Sequence, residues 1–344
     1  MAEVRLSGQE LHGICMGLLR GVGTPEDLAE IVAGGLCDAN LAGHDSHGLV
    51  RLPMYLRNAI DGKIKPPVRP EVVRRRAATA CVSARWGWGQ PAARLAAQTA
   101  AEIAGELGVG AVVLQDSPHV GRMADYVELI AAEGHLGMTV TNSGPNVAPF
   151  GGRDRRLGTD PIAFAIPRAE GAPPIVVDFA TSVRAEGKVR VARAAGRSVP
   201  PGTLIDVEGR PSVNPEDYYA GGSLLPAEGH KGYALAVAIE ALGGVLSGMG
   251  PSMIPAYGGG NGMFVMALEV EAFLPVKQYV DHVEAMAKAL RSAPTAPGVE
   301  RVLLPGEPEL LSAERRRREG IPIAPATMDE LHELAGELGV TLGA

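Results

Sequence analysis

The chain reads as an α/β protein. Three observations carry this: apolar segments of strand length recur, segments with apolar residues at helical spacing alternate with them, and polar clusters sit where the apolar segments end. The repeated order of strand, polar loop and helix puts candidate functional side chains at strand ends. Taken alone, that order pictures a parallel sheet, each strand returned by a helix.

Ser7 can cap a first helix that runs to Arg20 and is broken by Gly21-Val22-Gly23. Thr24-Pro25-Glu26-Asp27 starts a second, with Thr24 as N-cap and Pro25 as first helical residue, so two helices fill residues 7–40. The Pro-rich stretch from Pro66 to Pro70 is an extended connection into short strands at Val72-Val73 and Ala80-Cys81-Val82, and a domain boundary is expected near residue 75. Pro91 to Leu107 is Ala-rich helix ended by Gly108. Ala111 to Leu114 is a buried strand, Met123 to Ala132 a helix stopped by Gly134, and Gly137 to Thr141 the next strand. Ile162 to Ile166, Ile175 to Val177 and Phe264 to Leu268 are further strands; Tyr233 to Leu246, Val276 to Leu290 and Met328 to Leu338 are helices.

A length of 344 residues suits about two domains. Hydrophobic residues at 46% and charged residues at 21% leave no room for extended disorder, and an aromatic share of 4% means a core of Ala, Val, Leu and Ile. The net charge of −7 argues against a nucleic-acid or anionic-membrane partner, both of which call for a basic face, so a small soluble ligand is expected. Arg315 to Arg318 lie between Glu314 and Glu319 on a helix and read as a solvated, ion-paired face. Cys15, Cys37 and Cys81 are odd in number and widely spaced, which suggests neither a disulfide framework nor a zinc site; no metal is expected. With no secretory signal and no apolar run of about 20 residues, a cytoplasmic location is expected.

The segment Gly43-His44-Asp45-Ser46-His47-Gly48-Leu49-Val50-Arg51-Leu52-Pro53-Met54-Tyr55 gathers two imidazoles, a carboxylate, a hydroxyl, a guanidinium and a phenol. Three more polar clusters stand at the ends of apolar segments: Ser117 to Gly121, Thr141 to Gly144, and Gly229-His230-Lys231-Gly232-Tyr233. None of the glycine-rich stretches has the spacing and strand-turn-helix setting of a Rossmann fingerprint, and no Walker sequence occurs.

Together these clusters resemble the type 2 malate/L-lactate dehydrogenase family, which includes sulfolactate, ureidoglycolate and diketogulonate oxidoreductases. The resemblance covers nearly the whole chain. Its carriers are Ala39 to Gly48 with Arg51 and Tyr55; Ser117 to Gly121; Thr141-Asn142-Ser143; Gly151-Gly152 with Leu157 to Pro161; Asp178 to Ser182 with Gly187-Lys188; Gly229 to Tyr233; and Pro305-Gly306-Glu307. It implies an NAD(P)-dependent oxidoreductase with a non-Rossmann cofactor domain built on a mainly antiparallel central sheet (76–274). A helical domain from both chain ends (1–75 with 275–344) packs beside it, and the active site lies at a homodimer interface. The parallel picture yields to this, because a strand followed by a helix does not fix sheet direction.

The implied reaction moves a hydride between nicotinamide and C2 of a small 2-hydroxy or 2-oxo acid, malate or lactate first. A cyclic imine acid or a sulfo-, ureido- or sugar-derived keto acid is the alternative for the same site, and a binding protein without activity is a third reading. Histidine, with an unperturbed pKa of about 6.5, suits the proton transfer. The resemblance puts His47 and His119 at the reacting oxygen, His47 moving the proton and His119 polarising. Ser46 orients the imidazole or touches substrate, Arg51 pairs with the carboxylate, and Tyr55 lines the pocket. Ser143, Asp178, Ala180, Thr181, Ser182, Lys231, Gly232, Pro305, Gly306 and Glu307 fall where family members contact the dinucleotide, with NAD preferred and NADP admitted. His44 is secondary. One departure stands out: Asp160 occupies a position where the family usually has asparagine.

Overall fold

The computed structural model describes residues 4–194 and 196–342. In chain order its elements are β1 (Val4–Leu6), α1 (Gly8–Gly21), α2 (Glu26–Leu41), α3 (Leu52–Ile60), β2 (Glu71–Arg76), β3 (Thr79–Ser83), α4 (Gly89–Leu107), β4 (Val109–Gln115), α5 (Ala124–Ala132), β5 (His135–Thr141), β6 (Ile162–Ile166) and β7 (Ile175–Phe179). They continue with α6 (Glu186–Ala194), β8 (Leu204–Ile205), β9 (Pro211–Ser212), α7 (Pro215–Tyr219), β10 (Ser223–Leu224), α8 (His230–Ile239), β11 (Met263–Glu269), α9 (Val276–Arg291), α10 (Glu307–Glu319), β12 (Ile321–Ile323) and α11 (Pro325–Leu338).

Seven strands form the central sheet in the order β2-β3-β4-β11-β5-β6-β7. Only the β3–β4 pair is parallel; the other five neighbouring pairs run antiparallel. The parallel picture drawn from element order is therefore replaced by a mainly antiparallel sheet. Three of the antiparallel pairs, β2–β3, β5–β6 and β6–β7, join strands consecutive along the chain, and the other two come from β11, which arrives from far along the chain and inserts between β4 and β5, satisfying both of their inner edges.

Alternation along the strands decides which face each helix covers. Ala163, Ala165, Met263, Val265 and Ala267 turn to the face packed by α4 and α5, whereas Ile162, Phe164 and Phe264 turn to the face packed by Ile239 of α8. A second apolar cluster belongs to α1, α2, α3 and α11, closed by the two-stranded β1–β12 ribbon that joins the two ends of the chain. Trp88, the residue before α4, is 1% exposed and plugs into this helical core, so it fixes the start of α4 against α3. A smaller cluster lies under β8, β9, β10, α6 and α7, and α9 packs on Ile175 of β7.

Local signals hold in detail at several termini. Ser7 Oγ accepts from Glu10 N–H at 3.2 Å while the Glu10 carboxylate accepts from Ser7 N–H at 2.7 Å, a complete capping box. Gly108 ends α4 in the left-handed region, φ 83°. Thr24 differs: helix α2 begins at Glu26 with Pro25 in the capping position, and Thr24 Oγ1 is buried without a partner among the described residues. The helix expected at Tyr233 starts earlier, at His230, and passes into a π-helical turn over Glu240–Val245. Gly48 and Pro53 do not prevent a helix at 52–60, because Pro53 falls in its first turn, where no N–H is needed.

Helix α4 lies close to β4 because residue 110 has no side chain. A Cβ at Gly110 would stand 2.0 Å from the Ala100 carbonyl oxygen, a backbone atom that cannot move aside. Gly105 on the same helix meets only the tip of His135 at 3.8 Å. Gly110→Ala should therefore cost about 1–3 kcal/mol by overpacking. Gly105→Ala should gain up to about 1 kcal/mol from helix propensity. Urea denaturation of the two variants checks this, and equal effects would refute it.

Candidate functional site

The loop after α2 is held in shape by buried polar contacts. Asn40, 2% exposed, accepts the Leu49 N–H at 2.7 Å and donates to Asp45 Oδ1 at 2.7 Å. Arg316 of α10 grips the same carboxylate at 2.5 and 3.0 Å and also donates to the Asn40 carbonyl. The close seat of Asn40 requires Gly48, where a Cβ would lie 2.0 Å from Asn40 Oδ1. Two single-turn 3₁₀ helices, Asp45–His47 and Leu49–Arg51, result. Asp45 is thus a structural anchor for the segment that carries Ser46, His47 and Arg51.

His47 and His119 come together as stacked rings, centroids 5.6 Å apart and planes 29° apart. His119 stands in the loop between β4 and α5, and Tyr55 of α3 places its hydroxyl 2.6 Å from His119 Nδ1. Ser46 Oγ lies 3.0 Å from His47 Nδ1. Arg51 Nε donates to the Ser46 carbonyl at 2.6 Å, which leaves both Nη groups free of carboxylates among the described residues. Ser46, His47, Arg51, Tyr55 and His119 form one constellation.

Burial decides the charge states. It pushes the His47 pKa down to about 3, helped by the Arg51 guanidinium, and holds His119 well below the usual imidazole range for the same two reasons. Burial also lowers Arg51 and raises Tyr55. The pair is two neutral imidazoles beside a buried guanidinium that makes no ion pair among the described residues, the Glu186 carboxylate acting on it only from a distance, and such a cation favours an anionic ligand.

The residues expected at the cofactor fall into two groups. Around the start of α8, Ser143 Oγ accepts Thr159 N–H at 3.1 Å, the Thr181 N–H and hydroxyl both donate to the Thr159 carbonyl, and Ala227 N–H donates to the Thr181 carbonyl at 2.8 Å. Gly232 completes this knot, since a Cβ there would lie 2.5 Å from the Thr181 oxygen, and Lys231 beside it is exposed. Ser182, next to Thr181, donates to the Arg184 carbonyl, and Ala180 leads into the knot from β7. Asp160, 0% exposed and at φ 34°, accepts the Ser143 N–H at 3.1 Å. Its other oxygen has no partner among the described residues, and burial, with Glu240 nearby, drives its pKa well up.

The second group borders a crevice. Asp178, which accepts the Ala124 N–H at the start of α5, shares a cavity of about 260 Å³ with His44, Arg122, Pro305, Gly306 and Glu309. This runs into a larger crevice of about 770 Å³ between α2, α5 and α10 that also reaches Gln90. Glu307 behaves differently: its carboxylate is taken by the Leu304 N–H at 2.6 Å and by Arg291 at 2.5 Å, so it locks its own turn. Ser46 and Arg51 line a separate cavity of about 100 Å³ with Gly187 and Arg190. The crevice suits a dinucleotide in kind. Arg122, whose Nη groups pair with Asp125 at 2.8 Å and Glu128 at 3.0 Å, keeps a buried Nε with no partner among the described residues, and Asp178 and Glu309, the latter 3.3 Å from His44 Nε2, carry carboxylates suited to sugar hydroxyls. The sequence pattern does not mark Arg122, Glu309 or Gln90, although Arg122 directly follows the Ser117–Gly121 cluster.

Because both imidazoles resist protonation in the fold, the unfolded chain binds protons that the folded one refuses between its ordinary pKa, about 6.5, and the folded value. For His47 the window runs down to about 3. Stability should therefore fall as pH drops through that window. A His47→Asn variant should show a flatter slope of urea midpoint against pH, and identical slopes would refute the assignment.

Comparisons with known proteins follow the same lines. The malate/L-lactate dehydrogenase family model matches residues 6–332. The malate dehydrogenase of Pyrococcus abyssi is 36% identical over 98% of this chain and 96% of its own length. The L-lactate dehydrogenase of Cupriavidus necator is 36% identical over 98% and 99%. Among solved structures, malate dehydrogenase from Entamoeba histolytica superimposes with a TM-score of 0.93, at 28% identity and full coverage of both chains. With its fold, its site segments and 6–332 accounted for, this chain belongs to the malate/L-lactate dehydrogenase family.

Proposed function

We propose that this protein oxidises a small 2-hydroxy acid, malate or lactate, and reduces the matching 2-oxo acid in reverse, with NAD as redox partner. The observation that carries the reading is the stacked pair of neutral imidazoles beside a buried Arg51 guanidinium that makes no ion pair among the described residues.

Arg51 binds the substrate carboxylate through its two free Nη groups, while its Nε stays fixed on the Ser46 carbonyl. His119 donates a hydrogen bond to the oxygen on C2. His47 takes the hydroxyl proton at Nε2, since its Nδ1 faces Ser46 Oγ. Bound nicotinamide supplies the site that accepts the hydride from C2. The low basicity of His47 suits the cycle. An anionic substrate offsets the charge of Arg51 and so raises the proton affinity of His47 when substrate is in place. In reduction, protonated His47 is a strong acid beside the developing alkoxide.

Lys231, Gly232, Ser143, Thr181 and Ser182 would hold one part of the dinucleotide, and Asp178, Ala180, Pro305 and Gly306 another, with the Nε of Arg122 as a further donor. Glu307 supports the Pro305-Gly306 turn from behind. A homodimer fits the exposed apolar residues Val237, Val245 and Leu246 on α8 and its extension. Three unpaired cysteines, all buried, suit a reducing cytoplasm.

His47→Ala should lower turnover by about two to four orders of magnitude while dinucleotide affinity is kept. Near-normal turnover would reject His47 as the proton carrier. Arg51→Lys should raise KM for the acid by about tenfold through loss of the two-pronged contact. An unchanged KM across a panel of malate, lactate, sulfolactate and cyclic imine acids, run with both dinucleotides, would take Arg51 out of the pocket.

A further inference from the structure

A chain of hydrogen bonds behind the imidazole pair ends on His119. Gly121 N–H donates to His119 Nδ1 at 3.3 Å. A backbone amide can only donate, so Nδ1 carries a lone pair. The Tyr55 hydroxyl, 2.6 Å from that nitrogen, must then give its proton to it. This leaves the Tyr55 oxygen to accept from Gln90 Nε2 at 3.2 Å. Gln90 is 5% exposed, and its Oε1 has no partner among the described residues, so its polar contact is the donation to Tyr55. Its place is fixed by the start of α4, which presses on the His119 backbone: a Cβ at Gly89 would lie 2.3 Å from the His119 carbonyl oxygen.

We propose that Gln90 is a positioning residue which, through Tyr55, locks His119 as the Nε2–H tautomer, so that this ring presents a donor to the substrate oxygen. The inference rests on the dehydrogenase reading for its chemical purpose, and on hydrogen-bond direction alone for the tautomer. It gives the two histidines unequal tasks. His119, with Nε2 already protonated, polarises a carbonyl or steadies an alkoxide, and His47 is the ring left to carry the proton. The charged and titratable groups around the chain are Arg51 and His47 from the loop after α2, Arg94 from α4, Arg122 ahead of α5, and Asp125 and Tyr126 within α5.

Gln90→Glu provides the test, because a carboxyl reverses the chain only when it is ionised. An ionised carboxylate takes the Tyr55 O–H away from His119 and leaves the Tyr55 oxygen as an acceptor 2.6 Å from Nδ1, which draws the ring proton to Nδ1 at the cost of the longer 3.3 Å contact from Gly121 N–H. Protonation of the introduced carboxyl lets it donate again and restores the native order. The ratio of variant to wild-type kcat, measured at saturating dinucleotide, should thus be highest at low pH and fall by about tenfold or more as pH rises through the carboxyl pKa. Gln90→Leu should lower kcat by a ratio that does not vary with pH.

Histidine ring-nitrogen NMR shifts give a readout that needs neither substrate nor turnover. Wild-type His119 should show protonated Nε2 and bare Nδ1, and Gln90→Glu should move the proton to Nδ1 at high pH. A wild-type spectrum with protonated Nδ1 overturns the proposal without any variant. So does a pH-independent Gln90→Glu ratio with an unmoved tautomer. A correct tautomer in a protein that turns over none of the acids would instead count against the dehydrogenase reading alone.

Discussion

The grip of Arg316 on Asp45 and the Asn40 carbonyl is the contact on which the site depends. It joins α10, near the end of the chain, to the end of α2, and it holds a loop whose own backbone is two short 3₁₀ turns with little intrinsic stability. Asn40 completes the clamp from inside, with one end on Asp45 and the other on the Leu49 N–H. Ser46, His47 and Arg51 lie between these fixed points. Only a loop pinned at both ends can keep His47 stacked on a ring that comes from another part of the fold.

What the clamp holds in place is electrostatically costly. A buried guanidinium that makes no ion pair among the described residues and two imidazoles that cannot readily take a proton share one small region. The fold retains this arrangement because apolar packing around it is extensive: Trp88, Tyr55, Leu49 and Leu52 are all at most 2% exposed within the helical cluster. Unmet polarity is thereby kept for a ligand that carries the complementary charge. A comparable cost is carried at Asp160, whose buried carboxyl, its pKa pushed up, holds the Ser143 backbone N–H.

The start of α4 links the two main clusters. Trp88 enters the helical core, Gly89 meets the His119 carbonyl, Gln90 reaches Tyr55, and the Ala-rich face that follows covers the sheet. Sheet packing, helix packing and the orientation of His119 therefore share five or so consecutive residues. A displacement of this helix end would be felt at His119 through Tyr55.

Much of this was legible in the residues themselves. Strands at 80–82, 111–114, 137–141, 162–166 and 264–268 announce themselves by length and apolar run, and helix ends at Ser7 and Gly108 by capping chemistry, because these are local properties of a few consecutive side chains. The polar clusters at 44–55 and 117–121 are also visible, since such residues are out of place in an apolar chain. Sheet direction was not legible from element order, although the family resemblance implied the mainly antiparallel sheet that is found, because the place of β11 is a choice made between segments more than a hundred residues apart. Thr24 had every local mark of a cap and lost that role to packing. Gln90 and Arg122 carry no pattern that distinguishes them from surface residues. Their importance comes from the direction of a hydrogen bond and the burial of a guanidinium nitrogen. Sequence determined the parts and their chemistry; tertiary structure alone decided which distant groups meet, because that depends on which surfaces can be buried together.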